Sequence, residues 1–373
     1  MNASGTRVQP VNSPQQFKAF INFPWSIYRS DPAWVPPLKK EVAGLLSPEH
    51  PFFEHARIQL FLAFQNGQPV GRVAAIRDQA HIDYWKEEVV FFGFFESIND
   101  QSVGRALIDA VRAWAQELGI KTIRGPLNPS TNESVGLLAE GFDSPPFLMM
   151  PHNPPYYLDL IESAGLEVVK ELPAFVAHLG DAEKVTAGPA ARCRKRCPNF
   201  HLRPIRMKDL AQEVRIILSV YNQAWADNWG FVPMTDAEMA QMTKDLKQGV
   251  VPELVKIAYI DEEPIGMYVV LPDYNQALIH LNGRLDPFSA IKFLYYRRRI
   301  DRMRALLMGV AKEYRSQGLD MALIYDGIST GLKHGFKFAE ASWILEDNKK
   351  MMKTAARFGR IHKRYRVYEG HAD

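Results

Sequence analysis

Apolar positions recur along this chain with two periods, and the places where one gives way to the other outline its elements. Alternating or unbroken apolar runs predict strands at 56–64, 69–76, 87–97, 121–129, 167–179, 305–310 and 362–369. Asn66 and Gly67 supply the turn that makes the first two a hairpin. Spacing of three and four predicts helices that end at Gly119, cover 156–166, and resume from Leu319 through Ile328 and Leu332. Two more helices are announced by their first residues, Ser13 with Pro14 and Gln16, and Thr235 with Glu238. In each, a hydroxyl and a side chain three positions on can satisfy first-turn backbone groups. The stretch 31–55 holds too many prolines for one regular element.

The pattern occurs twice. Ala63, Phe64, Pro69, Val70 and Gly71 correspond to Ala258, Tyr259, Pro264, Ile265 and Gly266, every pair 195 positions apart. A strand, a loop and an amphipathic helix follow in both, with Gln101, Gly104 and Ala106 in the first copy set against Arg315, Gly318 and Asp320 in the second. Two copies of one fold account for this most economically. The expected division is 1–185, a basic linker at 186–200, and 201–373. The first copy departs from the pattern after its strand at 121–129, so an insertion is expected at 129–148. Asn132 or Asn153 would then stand where Asn348 stands in the second copy. Asn153 is preferred, because 156–166 makes the better helix and 167–179 the better closing strand. The second copy has its own extra stretch, LDPFSAIKFLYYRRRIDRMR, in which Phe288, Ile291, Phe293, Leu294 and Tyr295 adjoin Arg297, Arg298 and Arg299. Packing between copies, docking on a lipid surface and lining an acyl-chain tunnel are all open uses for it.

The junction at 305–320 carries the chemistry. An apolar strand ends, a polar loop follows, and a helix begins near Gly318. The first turn of a helix leaves backbone N–H groups unpaired at the positive end of the peptide dipoles, which makes it a seat for phosphate. Gly318 removes the side chain where a diphosphate would press closest, and Arg315 adds a cation.

The spacing Arg315, Gly318, Asp320 resembles the R/Q-x-x-G-x-G/A loop of the GCN5-related N-acetyltransferase (GNAT) superfamily, which grips the pyrophosphate of coenzyme A. Asp320 departs from the small residue of that pattern. Asn348, Gly359 and Tyr365 to Glu369 fall where the family has an Asn after the splayed strand, a Gly-containing turn and a closing strand. The general-acid Tyr of many members is absent, with Ala355 one turn past Asn348. SIYRSDPAWVPPL, HPFFEHA, FFGFFE, GPLNPSTNE, EGFDSPP, NPPYY and SWILEDN resemble a tandem branch that includes bacterial ceramide synthase-like proteins. The resemblance implies an α/β (α+β) protein of two tandem GNAT-like domains, each a mixed, mostly antiparallel sheet flanked by helices.

It also implies an acyltransferase that moves an acyl group from acyl-CoA to an amine, with a long-chain, sphingoid-type amine as one acceptor. Val310, Arg315, Ser316, Gln317, Gly318, Leu319 and Asn348 are the expected cofactor contacts. Glu346 is the candidate base, and Tyr325 a second candidate for proton transfer. Asn132, Glu133, His152, Asn153, Tyr156 and Tyr157 are the polar groups of a candidate substrate wall. Two other functions stay open: a CoA- or lipid-binding module that has lost its chemistry, for which Ala355 and Asp320 argue, and a small-molecule or protein N-acetyltransferase.

Composition narrows the field. At 373 residues, 47% hydrophobic and 23% charged, the chain can bury two ordinary cores. A net charge of +3 gives no bulk argument for nucleic acid. Cys193 and Cys197 stand without a His pair that would complete a zinc site, so no metal is expected and both are read as free thiols in a reducing compartment. The first ten residues lack the apolar core of a signal peptide, and no window reaches the ~18 apolar residues of a membrane span. The cytoplasm is the expected location. The basic stretch near 186–208 adds peripheral contact with anionic lipid at the inner membrane face as an expectation.

Overall fold

In the computed structural model the strands of the first half are β1 (Arg7–Pro10), β2 (Ala56–Gln65), β3 (Gln68–Asp78), β4 (Val90–Ser97) and β5 (Thr122–Gly125). Short strands β6 (Leu127–Asn128), β7 (Ser134–Val135) and β8 (Leu137–Glu140) precede the long β9 (Glu167–His178). The second half adds β10 (Phe200–Pro204), β11 (Val255–Ile260), β12 (Glu263–Pro272), β13 (Arg302–Val310), β14 (Phe338–Ala341) and β15 (Arg360–His371). The structure describes residues 5–372 except Ser316, and the side chains of Leu246 and Gln248 also fall outside the described set.

Two units emerge. Unit 1 holds Met1–Leu172, Ala277–Tyr295 and Lys363–Asp373, and unit 2 holds Pro173–Gln276 and Tyr296–His362. In unit 1 the strand order is β1-β2-β3-β4-β5-β15, antiparallel throughout except for the parallel pair β4–β5. Unit 2 repeats this as β10-β11-β12-β13-β14-β9, with β13–β14 as the parallel pair. Both are mixed, mostly antiparallel sheets flanked by helices, as the family resemblance implied. The repeat is visible in the hydrogen-bond register itself. Ala63 faces Gly71 and then Phe64 faces Pro69, while Ala258 faces Gly266 and then Tyr259 faces Pro264, so the same bulge sits at the same place in both hairpins.

Compactness does not follow chain order. The last strand of the first copy, β9, pairs through Phe175–His178 with β14 of unit 2, and the last strand of the second copy, β15, pairs through Tyr368–His371 with β5 of unit 1. A strand joins whichever open edge takes its backbone groups.

Each sheet carries its helix on an apolar face. In unit 1 the helix Gln101–Glu117 buries Val103, Leu107, Ile108, Val111 and Ala115 with Phe92 and Ile123. In unit 2 the helix Leu319–Lys333 buries Leu319, Ala322, Leu323 and Ile328 with Met303 and Val270. Each fully buried Leu of these stripes stabilises its unit by roughly 1.5–3 kcal/mol. Residues 186–200, expected as a linker, are mostly the second half of a helix, Leu179–Arg196. Its buried stripe of Ala182, Thr186, Ala190 and Cys193 has helical spacing, but the residues are small and signal weakly in sequence. The run ASWILEDN at 341–348 reads as a strand from its apolar residues, but the strand lies ahead of it. β14 stops at Ala341, and the chain reaches Asn348 as irregular backbone.

Candidate active site

The parallel pair of unit 2 separates partway along. β13 and β14 pair from Arg302–Phe338 to Ala305–Ala341, and there β14 ends. β13 runs on to Val310, bonded only to β12 on its other side, and Leu306 is the extra residue of a bulge between Ala305 and Leu307. Ala305 to Gly309 are all half-exposed, whereas Met303 and Arg304 before them are buried. A strand edge with backbone groups turned to an opening is thereby presented to a ligand.

At the end of that edge the loop 311–318 leads into the helix Leu319–Lys333. Gly318 is its N-cap, with φ +82°, and no side chain caps the first turn. That backbone conformation suits glycine. Among the described residues a Cβ at Gly318 would come within contact of Cys193 Cβ alone, at 3.9 Å. Arg315 braces the loop, donating from Nε to Val310 O (3.1 Å) and from Nη2 to Ala224 O (2.7 Å). Cys197 Sγ donates to Gln317 Oε1 at 3.4 Å, which holds the basic end of the helix Leu179–Arg196, with Arg194, Lys195 and Arg196, beside this loop. Burial pushes the Cys193 thiol up to about 11, so it stays protonated.

Next to the point of separation lies a buried polar cluster. Arg304 faces Glu340 across β13 and β14, one residue before the pairing ends. Glu340 is wholly buried, and its Oε2 lies 2.5 Å from His362 Nε2. Ser342 Oγ donates to Glu340 Oε1 (2.5 Å), and Arg304 donates to Ser342 Oγ (2.9 Å) and Ser342 O (3.0 Å). A carboxylate beside Nε2 orients the imidazole and favours the tautomer with its proton on that nitrogen. Such an arrangement can take and return a proton. Among the described residues no group of three His, Cys, Asp or Glu is placed to hold a metal.

No protein-family model matches the chain. Curated relatives do. The bacterial ceramide synthase of Caulobacter vibrioides is 36% identical, over 97% of this chain and 96% of that protein. Protein YghO of Escherichia coli is 37% identical, over 97% of this chain and 94% of that protein. The chain belongs to the bacterial ceramide synthase-like branch of tandem GNAT proteins. Among solved structures, a tandem GNAT protein from the clavulanic acid biosynthesis pathway aligns over 99% of both chains with a TM-score of 0.58 at 13% identity. A GCN5-related N-acetyltransferase from Sphaerobacter thermophilus aligns over 98% of this chain and 96% of that one, TM-score 0.55 at 12% identity. The protein is an N-acyltransferase of the GNAT type.

The first GNAT unit shows the same separation of strands, but filled. β4 and β5 pair only at Val90–Ile123 and Phe91–Arg124, after which β6 takes up the space. A Cβ at Gly93 would stand 1.8 Å from Leu127 O, and one at Gly125 would stand 2.2 Å from Phe92 O. Phe94, at φ +50° in the bulge of β4, donates its N–H to Asn128 Oδ1 at 2.5 Å. All of β4 except Glu96 is buried. The helix start is occupied as well. Asp100 caps the helix Gln101–Glu117, accepting from Ser102 N (2.8 Å) and Ser102 Oγ (2.7 Å), and those bonds hold its carboxyl below the usual range. Gln101 and Gly104 lie inside the helix rather than before it, so their alignment with Arg315 and Gly318 is corrected. Gly104 serves close packing instead, since a Cβ there would meet Leu160 Cβ at 3.1 Å.

The other expected site residues are dispersed. Val310 and Leu319 are buried at the two ends of the loop 311–318, and Ser316 lies outside the described residues. Asn348 caps the helix Lys349–Ala355 by accepting from Met351 N. Glu346 is half-buried five residues beyond β14, and Tyr325 lies with Arg194 over its ring at 6.0 Å. In unit 1, Asn132 and Glu133 are half-buried in the turn between β6 and β7. Asn153 is buried, bonded to Leu138 N and O. Tyr157 is fully buried, donating to Glu96 Oε2, which also accepts from Tyr28, and burial raises Glu96 above the usual carboxylate range. Tyr156 donates to Ser97 O, and burial pushes its phenol up to about 12. His152 bonds Asp31 at 2.7 Å, with its pKa lowered chiefly by burial. Arg304, Glu340, Ser342 and His362 were not foreseen. Their one signal was a lone Glu within a short apolar strand, FAEA, where a charge must find a partner.

Proposed function

We propose that unit 2 transfers a long acyl group from acyl-CoA to a long-chain amine of the sphingoid type. The open edge of β13 beyond Ala305, ending at the uncapped helix start of Gly318, carries this reading. The two features are joined by one strand and loop, as a site that holds a thioester together with its diphosphate requires. The name of the 36% identical relative, a bacterial ceramide synthase, supports the choice of acceptor. Val310, Arg315, Ser316, Gln317, Gly318, Leu319 and Asn348 would line the cofactor's path, and the Arg194–Arg196 stretch would add cations for its phosphates.

Backbone N–H groups of β13 past the bulge would polarise the thioester carbonyl. The amine nitrogen attacks that carbon, so that a C–N bond forms while the C–S bond breaks. His362, oriented by Glu340, would accept the amine proton and return a proton to the departing sulfur. Glu346 and Tyr325 are the competing proton acceptors, and turnover retained in Glu346→Gln and Tyr325→Phe would leave the role to His362. In unit 1, Asn132 and Glu133 are the partly open side chains through which a ligand would be touched, with Tyr156, Tyr157, His152 and Asn153 as supports. Such an amine partitions into membranes, so a cytoplasmic protein in peripheral contact with lipid at the inner membrane face fits the reading.

Thiol release measured against acyl chain length, with and without a sphingoid amine, tests it. Release is expected only with the amine and with preference for long chains, and it should vanish in Gly318→Trp while the thermal melt stays in place. Preference for acetyl-CoA would instead assign a small-molecule or protein N-acetyltransferase. Acyl-CoA binding without release across a panel of amines would assign a binding module.

A further inference from the structure

The insert between β12 and β13 forms the helix Pro287–Arg297, which has no counterpart in the first copy. None of its residues is buried. Phe288 is 80% exposed, Ile291 67%, Leu294 57% and Tyr295 51%, and Leu285 just before the helix is 55% exposed. Phe288, Ile291 and Tyr295 stand at spacings of three and four on one face, with Leu294 at its border, while the partly covered Ser289, Ala290 and Phe293 face the other way. Apolar residues of this size are normally the covered side of a helix, and here the pattern is reversed.

The charges around this face have one sign. Lys292 is exposed on the same turn as Phe288 and Ile291, Arg284 is exposed ahead of the helix, and Arg297, Arg298 and Arg299 are exposed where it ends. The one acid in 284–299, Asp286, accepts from Ser289 N at the helix start and so belongs to the cap. An apolar face ringed by Lys and Arg complements a surface that offers acyl chains at depth and anionic headgroups at its rim. A protein partner would have to bring its own acidic ring to the same place.

We propose that the helix Pro287–Arg297 is a membrane-docking element that inserts Phe288, Ile291 and Leu294 into the headgroup–acyl boundary of an anionic bilayer. Lys292 and Arg297–Arg299 bind its headgroups. With 11 residues the helix is too short to span, so it lies in the interface. The inference rests on exposure and charge alone, and it holds whichever amine the enzyme acylates.

Co-sedimentation of the whole chain with vesicles tests it. The chain should pellet with vesicles of phosphatidylcholine containing about a third phosphatidylglycerol and stay in solution with phosphatidylcholine alone, and high salt should release it. The triple variant Phe288→Ser/Ile291→Ser/Leu294→Ser should lose about tenfold or more of the binding with its thermal melt preserved, because none of the three side chains is buried. Arg298→Gln/Arg299→Gln should weaken binding to anionic vesicles. Wild-type chain that ignores anionic vesicles, or a triple variant that binds them as well as wild type, overturns the proposal. So would a wild-type dimer in light scattering that the triple variant abolishes, since the face would then belong to a second copy. Thiol release from acyl-CoA in detergent solution should be unchanged in the triple variant, which separates failure of docking from failure of the acyltransferase reading.

Discussion

The two copies keep one strand order and part company at the same two places. In unit 2 the parallel strands separate and the edge of β13 stays half-exposed, whereas in unit 1 the gap is closed by Leu127 and Asn128 and β4 is buried almost throughout. In unit 2 the helix begins at a glycine, which brings no side chain to cap it. In unit 1 it begins at a carboxylate already bonded to its first-turn amides. An ionised Asp100 does for those amides what a phosphate would do, and it repels a second anion from the same spot. A duplicated fold can therefore keep its architecture in both copies while one copy converts a ligand site into internal packing. The lost-chemistry alternative fits unit 1 on this account, and the acyltransferase reading fits unit 2.

The largest effect expected from testing this contrast lies in unit 2. His362→Ala should lower kcat by about 10²- to 10³-fold with little change in KM, the usual contribution of a positioned acid–base group. Steady-state kinetics with saturating acyl donor would show it, and a fall confined to KM would remove His362 from the proton path. The matching change in unit 1 should act on stability instead. Asn128→Ala leaves the Phe94 N–H without its acceptor in a buried bulge, at a cost of about 1–3 kcal/mol in urea unfolding, with kcat unaltered. Loss of turnover in a folded Asn128→Ala protein would mean that the first gap still serves catalysis.

Smallest is a pH effect, and it also distinguishes the units. Burial lowers the pKa of His152 and His81 below their ordinary value of 6.5, so both are neutral in folded unit 1. Their unfolded counterparts bind protons more readily, so the stability linked to them is present above about pH 6.5 and lost as pH falls toward the folded values. Thermal melts should drop by a few degrees between about pH 7 and pH 5, and His152→Gln should flatten part of that slope.

Much of this was legible before any coordinates. The 195-residue offset survives as identical register and an identical bulge, because a P-x-G return strand fixes both the turn and the pairing. The helix start at Gly318 was legible too, since a glycine between a polar loop and an apolar helical run suits a left-handed cap. What was not legible depends on contacts distant in sequence. Glu340 meets His362 only because strands bring them together, and Arg304 meets Glu340 only through the register of a parallel pair. Asn128 looks like any loop asparagine until its oxygen is found on Phe94 N–H. The helix Leu179–Arg196 hid because its buried face is built from Ala, Thr and Cys beneath a conspicuous run of Arg and Lys.

The exchanged closing strands also bear on how the polypeptide emerges from the ribosome. When residue 185 has been translated, the β1–β5 portion of unit 1 is complete in every strand but one, and its missing neighbour is encoded at Lys363–His371. The nascent chain must carry an open, hydrogen-bonding edge on β5 until Lys363–His371 has been made. A product that stops before Lys363 would keep that edge bare and be prone to edge-to-edge association, however intact its loop 311–318.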